Sequence, residues 1–176
     1  MRGRRLLEDF CSARKVNLSK VGKYIFSNNS PDKLDTLFNK AISSGAEGLT
    51  RCAKNEITYL NKWCFAKHAF YSPNTGIVDS HALGLSLYRD IEDHGGICCL
   101  SSCVTSIEHN SKYLVRFTDG NNDEVEIETQ ILINCGGLSS IEVLNLLHKD
   151  HGMENFFIKG HYFVADMPSG ISHLLY

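Results

Sequence analysis

The sequence predicts a two-domain protein of mixed α+β and α/β character, with part of a three-layer domain set between pieces of a second, mixed-sheet domain. Three observations predict this. Residues 79–147 run helix, strand, hairpin, strand, helix, the order of a sheet covered by helices. "ILI" (131–133) is apolar at every position, as a strand buried on both faces is. The flanks instead look like α+β material of a different domain.

The chain of 176 residues is 43% hydrophobic and 22% charged, enough for one ordinary core or two smaller ones. Its 18 basic and 20 acidic side chains leave a net charge of -2, which supplies neither the footprint of a nucleic-acid binder nor a polybasic membrane patch. No window approaches the roughly 18 uninterrupted apolar residues of a membrane span, and the N-terminus lacks the apolar core of a signal peptide, so a soluble chain is predicted. "MRGRR" suggests a transit sequence, but Glu8 and Asp9 follow at once, and Leu6, Leu7 and Phe10 have the spacing of a packing helix. Seven cysteines form an odd set without a C-x-x-C pair, which points to a reducing, intracellular compartment. No histidines stand beside them at ligand spacing, so no metal site is predicted.

Element by element, Arg4 to Arg14 has helical spacing and "VGKYIF" (21–26) alternates like a strand. Ser30 and Pro31 open a helix, with Ser30 as cap, Leu34, Leu37, Phe38, Ala41 and Ile42 on one face and Gly45 as its stop. "KNEITYL" (54–60) is a short helix and "CFAKHAFY" (64–71) a strand that ends in the turn "SPNTG". Asp79 caps a helix facing inward with Leu83, Leu87, Tyr88 and Ile91, and Gly95 and Gly96 end it. "ICCLSSCVTSIE" leads to a hairpin, "YLVRFTD" and "DEVEIET" joined by a tight Asp119-Gly120 turn. The strand 131–133, two glycines, a serine cap and a helix follow. "FFIKGHYFVA" and "HLLY" are the last strands. The sequence starts inside a helix and stops on an apolar strand, which predicts a fragment of a longer protein.

Three places can carry chemistry. "NCGGLSS" (134–140) has the glycines of a turn where backbone approaches a ligand closely, although such glycines also serve tight strand-to-helix packing. His81 stands in the first turn of the Asp79 helix, where a neutral imidazole would suit a base; it also reads as a partly exposed residue on a packed helix. Lys159, His161 and Tyr162 in "KGHYF" combine a cation, an imidazole and a phenol, fit to bind a carboxylate or to form the outward face of a strand.

"SPNTGIVDSHAL", "VTSIE", "ILINCGGL" and "KGHYF", in that order and at these separations, resemble the FAD-dependent L-2-hydroxyglutarate dehydrogenases of the D-amino-acid-oxidase-like flavoprotein superfamily. "GRRLLEDFC" and "VGKYIF" extend the resemblance to nearly the whole chain. It implies an incomplete two-domain flavoprotein of the D-amino-acid-oxidase type: residues 1–76 begin a substrate domain, 77–150 are part of an FAD-binding domain, and 151–176 return to the substrate domain. By position, Val104 would approach the adenine end of FAD, and Asn134, Cys135, Gly136 and Gly137 would lie against the cofactor, with Cys135 and Gly136 where the family usually has alanines. Lys159 to Tyr162 would lie near the flavin ring, and His81 in the returning helix. These imply oxidation of a small dicarboxylic hydroxy acid, L-2-hydroxyglutarate to 2-oxoglutarate, with His81, Lys159, His161 and Tyr162 as catalytic candidates and an electron acceptor the sequence does not identify. The resemblance also implies a mitochondrial location in a eukaryote and a cytoplasmic one otherwise. One departure stands out: no G-x-G-x-x-G, the diphosphate-holding turn, occurs anywhere in the chain. The isolated chain is therefore expected to be inactive, and a related amine or glycerol-phosphate flavoenzyme, or a non-catalytic remnant, are the alternative readings.

Overall fold

A computed structural model describes residues 2–161 and 170–176. Among these the chain forms two compact units, residues 2–94 together with 170–176, and residues 95–161.

The first unit is built on a four-stranded sheet in the order β3-β4-β2-β9: β2 (Lys23–Ser27), β3 (Thr50–Arg51), β4 (His68–Ser72) and β9 (Leu174–Leu175). β4 runs antiparallel to both β2 and β3, whereas β9 lies parallel to β2. Tyr24, Ala69 and Leu60 pack on one face, where Leu60 is only 1% exposed, under the short helix α3 (Lys54–Leu60). Ile25 and Phe70 point to the other face, against Leu34 and Phe38 of α2 (Pro31–Ser43). Alternation along β2 and β4 thus feeds both layers, and the unit is helix on sheet on helix.

Local chemistry explains the helix ends. Asp79 caps α4 (Ser80–Asp93) as predicted, its carboxylate accepting from the Ala82 amide at 2.9 Å. Ser30 precedes α2, but its side chain makes no capping bond; Pro31 at the first position removes one of the orphan amides. Before α3 the side chain of Glu56 accepts from the Ala53 amide at 2.7 Å. The predicted inner face of α4 is only partly covered, since Leu87 and Ile91 remain exposed.

The predicted strand 64–71 begins later, at His68, because Cys64 and Trp63 still bond back to Leu60 and the Ala66 amide donates to the Asn61 side chain. A small ribbon, β1 (Leu18–Ser19) with β5 (Ile77–Val78), carries α1 (Arg2–Arg14) beside it. Arg4 joins Glu8 at 2.9 Å, Asn74 at 3.2 Å and Glu47 at 3.0 Å, while the Asn74 amide donates to the Glu47 carbonyl at 2.9 Å. The "SPNTG" turn is therefore held by side chains as well as by its own backbone preferences. Gly22 has φ +68, and a Cβ there would stand 2.1 Å from the Tyr71 hydroxyl, so only glycine passes beneath that ring.

The second unit is a three-stranded antiparallel meander, β6 (Cys103–His109), β7 (Tyr113–Thr118) and β8 (Glu124–Thr129). One face is apolar through Ile107, Val115 and Phe117. The other carries an ion-pair ladder in which Arg116 joins Glu126 at 2.8 Å and also Glu108. The hairpin is as predicted in place, but its turn chemistry differs: the positive φ belongs to Asn122, and the Asp119 carboxylate accepts from the Asn121 and Asp123 amides at 2.8 and 3.0 Å.

The predicted strand at 131–133 has no strand partner among the described residues. Ile131 and Ile133 are 75% and 77% exposed, and the Thr129 hydroxyl takes up both the Ile131 amide and its carbonyl. Apolar composition alone sets no pairing; a neighbouring strand must be present to supply it. The expected strand over "FFIKGHYFVA" is likewise not formed at residues 156–161, and its remainder lies outside the described residues.

Candidate cofactor-facing bend

The second unit holds the bend at Asn134–Ser140. Gly137–Ser139 forms a 3₁₀ turn, followed by α5 (Ser140–Asn145). Asn134 latches the bend from both ends: its Oδ1 accepts from the Gly136 amide at 3.0 Å, and its Nδ2 donates to the Ser140 carbonyl at 2.7 Å. A Cβ at position 136 would lie 3.2 Å from that Oδ1 and 3.3 Å from Ser140, so Gly136 serves close packing within the bend. Gly137 differs. It has φ +58, and a Cβ there would meet nothing within 4 Å, so its backbone faces open space.

Below the bend a cleft of about 140 Å³ is lined by Ile107 and Tyr113 of the meander, Leu132, Asn134, and Val143 and Leu144 of α5. Val104 pairs with Phe117, so the register places it on the face that carries Ile107 and Val115. The meander therefore turns toward residues 132–134 the same face that bears Val104. α5 spans six residues, and Ser139, which precedes it, makes no side-chain capping bond, so the expected serine cap is not formed there.

The residues fit FAD in part. An open backbone at Gly137 beside an apolar face suits close approach by a flat group, whereas the side chain of Asn134 is spent within the bend and has little left for a ligand. An Asn whose side chain bonds to the amide two residues on is a recognisable turn former, so the latch could have been read from "NCG". Cys135 is exposed.

The catalytic candidates are dispersed. His81 is the second residue of α4, exposed, in the first unit. Lys159 and His161 are exposed residues of the second unit, outside regular structure, and Tyr162 lies outside the described residues. Lys159 and His161, two residues apart, are not joined to each other by a hydrogen bond.

Known proteins resolve what family this geometry belongs to. The chain is 28% identical over 156 residues to a mitochondrial L-2-hydroxyglutarate dehydrogenase of Pongo abelii, covering 83% of this chain and 37% of that protein. It is 32% identical over 142 residues to the enzyme of the same name from Caenorhabditis elegans, covering 78% of this chain and 33% of that protein. The chain thus spans about a third of the length of these curated relatives. Among solved structures, L-proline dehydrogenase from P. horikoshii and glycine oxidase from Geobacillus kaustophilus each superpose with a TM-score of 0.66 at 13% identity over 82% of this chain, and over 39% and 40% of their own. That likeness is one of fold: the mixed α/β architecture described above is part of theirs. No helix among the described residues is long and apolar enough to cross a membrane. With the family model for FAD dependent oxidoreductases matching residues 1–175, the chain belongs to the DAO family of FAD-dependent oxidoreductases.

Proposed function

We propose that this chain is part of an oxidoreductase that converts L-2-hydroxyglutarate to 2-oxoglutarate. The observation that carries the reading is its relation to proteins of that name, reaching 32% identity over 142 residues. When bound, FAD supplies the oxidant that takes the hydrogen of C2 with its electron pair. Residues 1–76 and 151–176 belong, in this reading, to the substrate domain and 77–150 to the FAD-binding domain. Val104 and the bend at Asn134, Cys135, Gly136 and Gly137 face the cofactor, with Gly137 offering the closest approach. His81, Lys159, His161 and Tyr162 are assigned to the carboxylates and hydroxyl of the substrate, the cation of Lys159 suiting a carboxylate. Where the source is a eukaryote, we assign the protein to the mitochondrion, after its relatives.

The missing G-x-G-x-x-G leads to a further expectation: the 176 residues alone hold FAD weakly and do not turn over. Gel filtration after incubation with FAD, followed by dye reduction with L-2-hydroxyglutarate, checks this; a chain that emerges yellow and reduces dye overturns it. The reaction itself is tested on the product of the full reading frame with a panel of L- and D-2-hydroxyglutarate, glycine, proline and glycerol 3-phosphate. Preference for L-2-hydroxyglutarate is expected, and preference for an amine or for glycerol phosphate sinks the assignment.

A further inference from the structure

Arg4, Leu7 and Glu8 recur at three and four residues, which places them on one face of α1. With Leu18 and Val78, which pair across the ribbon of β1 and β5, and with Lys20 just beyond it, they line a cleft of about 90 Å³. Every residue of the lining belongs to the first unit, and none is among the site residues assigned above.

The charges at this cleft do not balance. Glu8 joins Arg4 at 2.9 Å and Lys20 at 2.7 Å, while Glu47 joins Arg4 at 3.0 Å and Arg5 at 2.7 Å. The bond from Lys20, chiefly, holds the Glu8 carboxyl below its ordinary range, so Glu8 is ionised at neutral pH. Three cations thus meet two carboxylates, which leaves one positive charge in excess. Donors are in excess as well. Nη1 of Arg4 donates to Glu8 and Asn74 and Nη2 to Glu47, whereas its buried Nε has no acceptor among the described residues. An ammonium has three donors, so Lys20 can hold Glu8 and a second acceptor together. A clamp on the "SPNTG" turn needs only the bonds already made; it explains neither the surplus charge nor the unpaired donor.

We propose that this cleft binds a small monocarboxylic acid, roughly two to four carbons long. The carboxylate accepts from Arg4 and Lys20 and brings the charge of the cluster to zero, and the short chain lies against Leu7, Leu18 and Val78. The volume of about 90 Å³ matches an acid of that size, since one water takes up about 30 Å³ in the liquid. An inorganic anion would leave the apolar lining in water, and an amide would leave the positive charge unmatched. The proposal does not rest on the functional reading above and goes beyond it.

The test is an NMR titration of the purified chain with propionate, propionamide and chloride at constant ionic strength. Propionate is expected to shift the Arg4 Nε–H resonance and the methyl resonances of Leu7, Leu18 and Val78 along one saturable curve, and the other two to leave them in place. Lys20→Met is expected to weaken propionate roughly tenfold. Its folding is read from exchange protection of the Asp79 amide, which bonds to the Asn17 carbonyl at 2.9 Å. Leu18→Phe, which fills the cleft, is expected to abolish the shifts and replaces Lys20→Met should that variant lose the protection. No saturable shift with propionate overturns the proposal, water then serving Arg4. Equal shifts with propionamide overturn it as well, because the cleft would then take any small apolar molecule, and equal shifts with chloride would reduce it to an adventitious ion only. A folded Lys20→Met chain that binds propionate as tightly as the wild type overturns the role given to the surplus charge. Each of these failures leaves the assignment of the oxidoreductase reaction standing.

Discussion

The two units make their cores differently. In the first, β2 and β4 are covered on both faces, by α3 on the Tyr24 side and by α2 on the Ile25 side. In the second, one face of a meander buries Ile107, Val115 and Phe117, while Ile97, Ile131, Ile133, Leu138 and the run Phe156–Ile158 stay exposed. Among the described residues, the first unit lays a helix over each face of its sheet, although Phe65, Leu87 and Ile91 of the same unit stay exposed. Burial, and with it stability, follows from having a partner layer and not from composition.

The sharpest way to break this comparison is to truncate one residue of each kind. Leu60→Ala removes a side chain that is 1% exposed and is expected to cost the first unit about 2–5 kcal/mol in denaturant unfolding. Ile133→Ala removes an apolar side chain of similar size that is 77% exposed, and is expected to change stability by less than about 0.5 kcal/mol. Comparable losses from the two would show that residues 131–133 are covered after all.

A smaller effect separates two helix starts. Asp79→Ala deletes the bond to the Ala82 amide and is expected to cost about 1 kcal/mol, with faster amide exchange in the first turn of α4. Ser139→Ala, before α5, removes no capping bond and is expected to leave stability unchanged. Equal losses would mean that Ser139 caps in solution.

A further effect concerns pH. Burial, reinforced by the nearby Glu56 carboxylate, pushes the Cys52 thiol up to about 11 from an ordinary 9.0. The unfolded chain therefore releases this proton first. The stability contributed is complete below pH 9 and declines as pH rises from 9 toward 11. Unfolding midpoints across that range are expected to fall less steeply for Cys52→Ala than for the wild-type chain, and parallel slopes would contradict the assignment.

Much of the first unit was legible because its signals are local. Leu34 and Phe38, four apart, give α2, and an aspartate before "SHAL" gives the α4 cap. What escaped notice depends on residues far apart. The ties from Arg4 to Glu47 and Asn74, 43 and 70 residues away, leave no periodic trace, and neither does the pairing of Leu18 with Val78. At the bend, the glycines were visible but not their division of labour, since Gly136 is hemmed in by Asn134 and Ser140 whereas Gly137 is open. The apolar run at 131–133 misled because two-sided burial requires neighbours that a window of sequence does not contain.

The parallel pairing of β9 with β2 has a consequence for biosynthesis. Tyr24 meets Leu175 across the ladder, so one border of the first sheet must wait until the ribosome has translated the chain from residue 24 to residue 175. At roughly 5–20 residues per second, that is a delay on the order of ten to thirty seconds in which nascent β2 presents an open edge. The meander, whose strand pairings join only neighbours in sequence, can form its ladders meanwhile, as an insertion within an unfinished sheet.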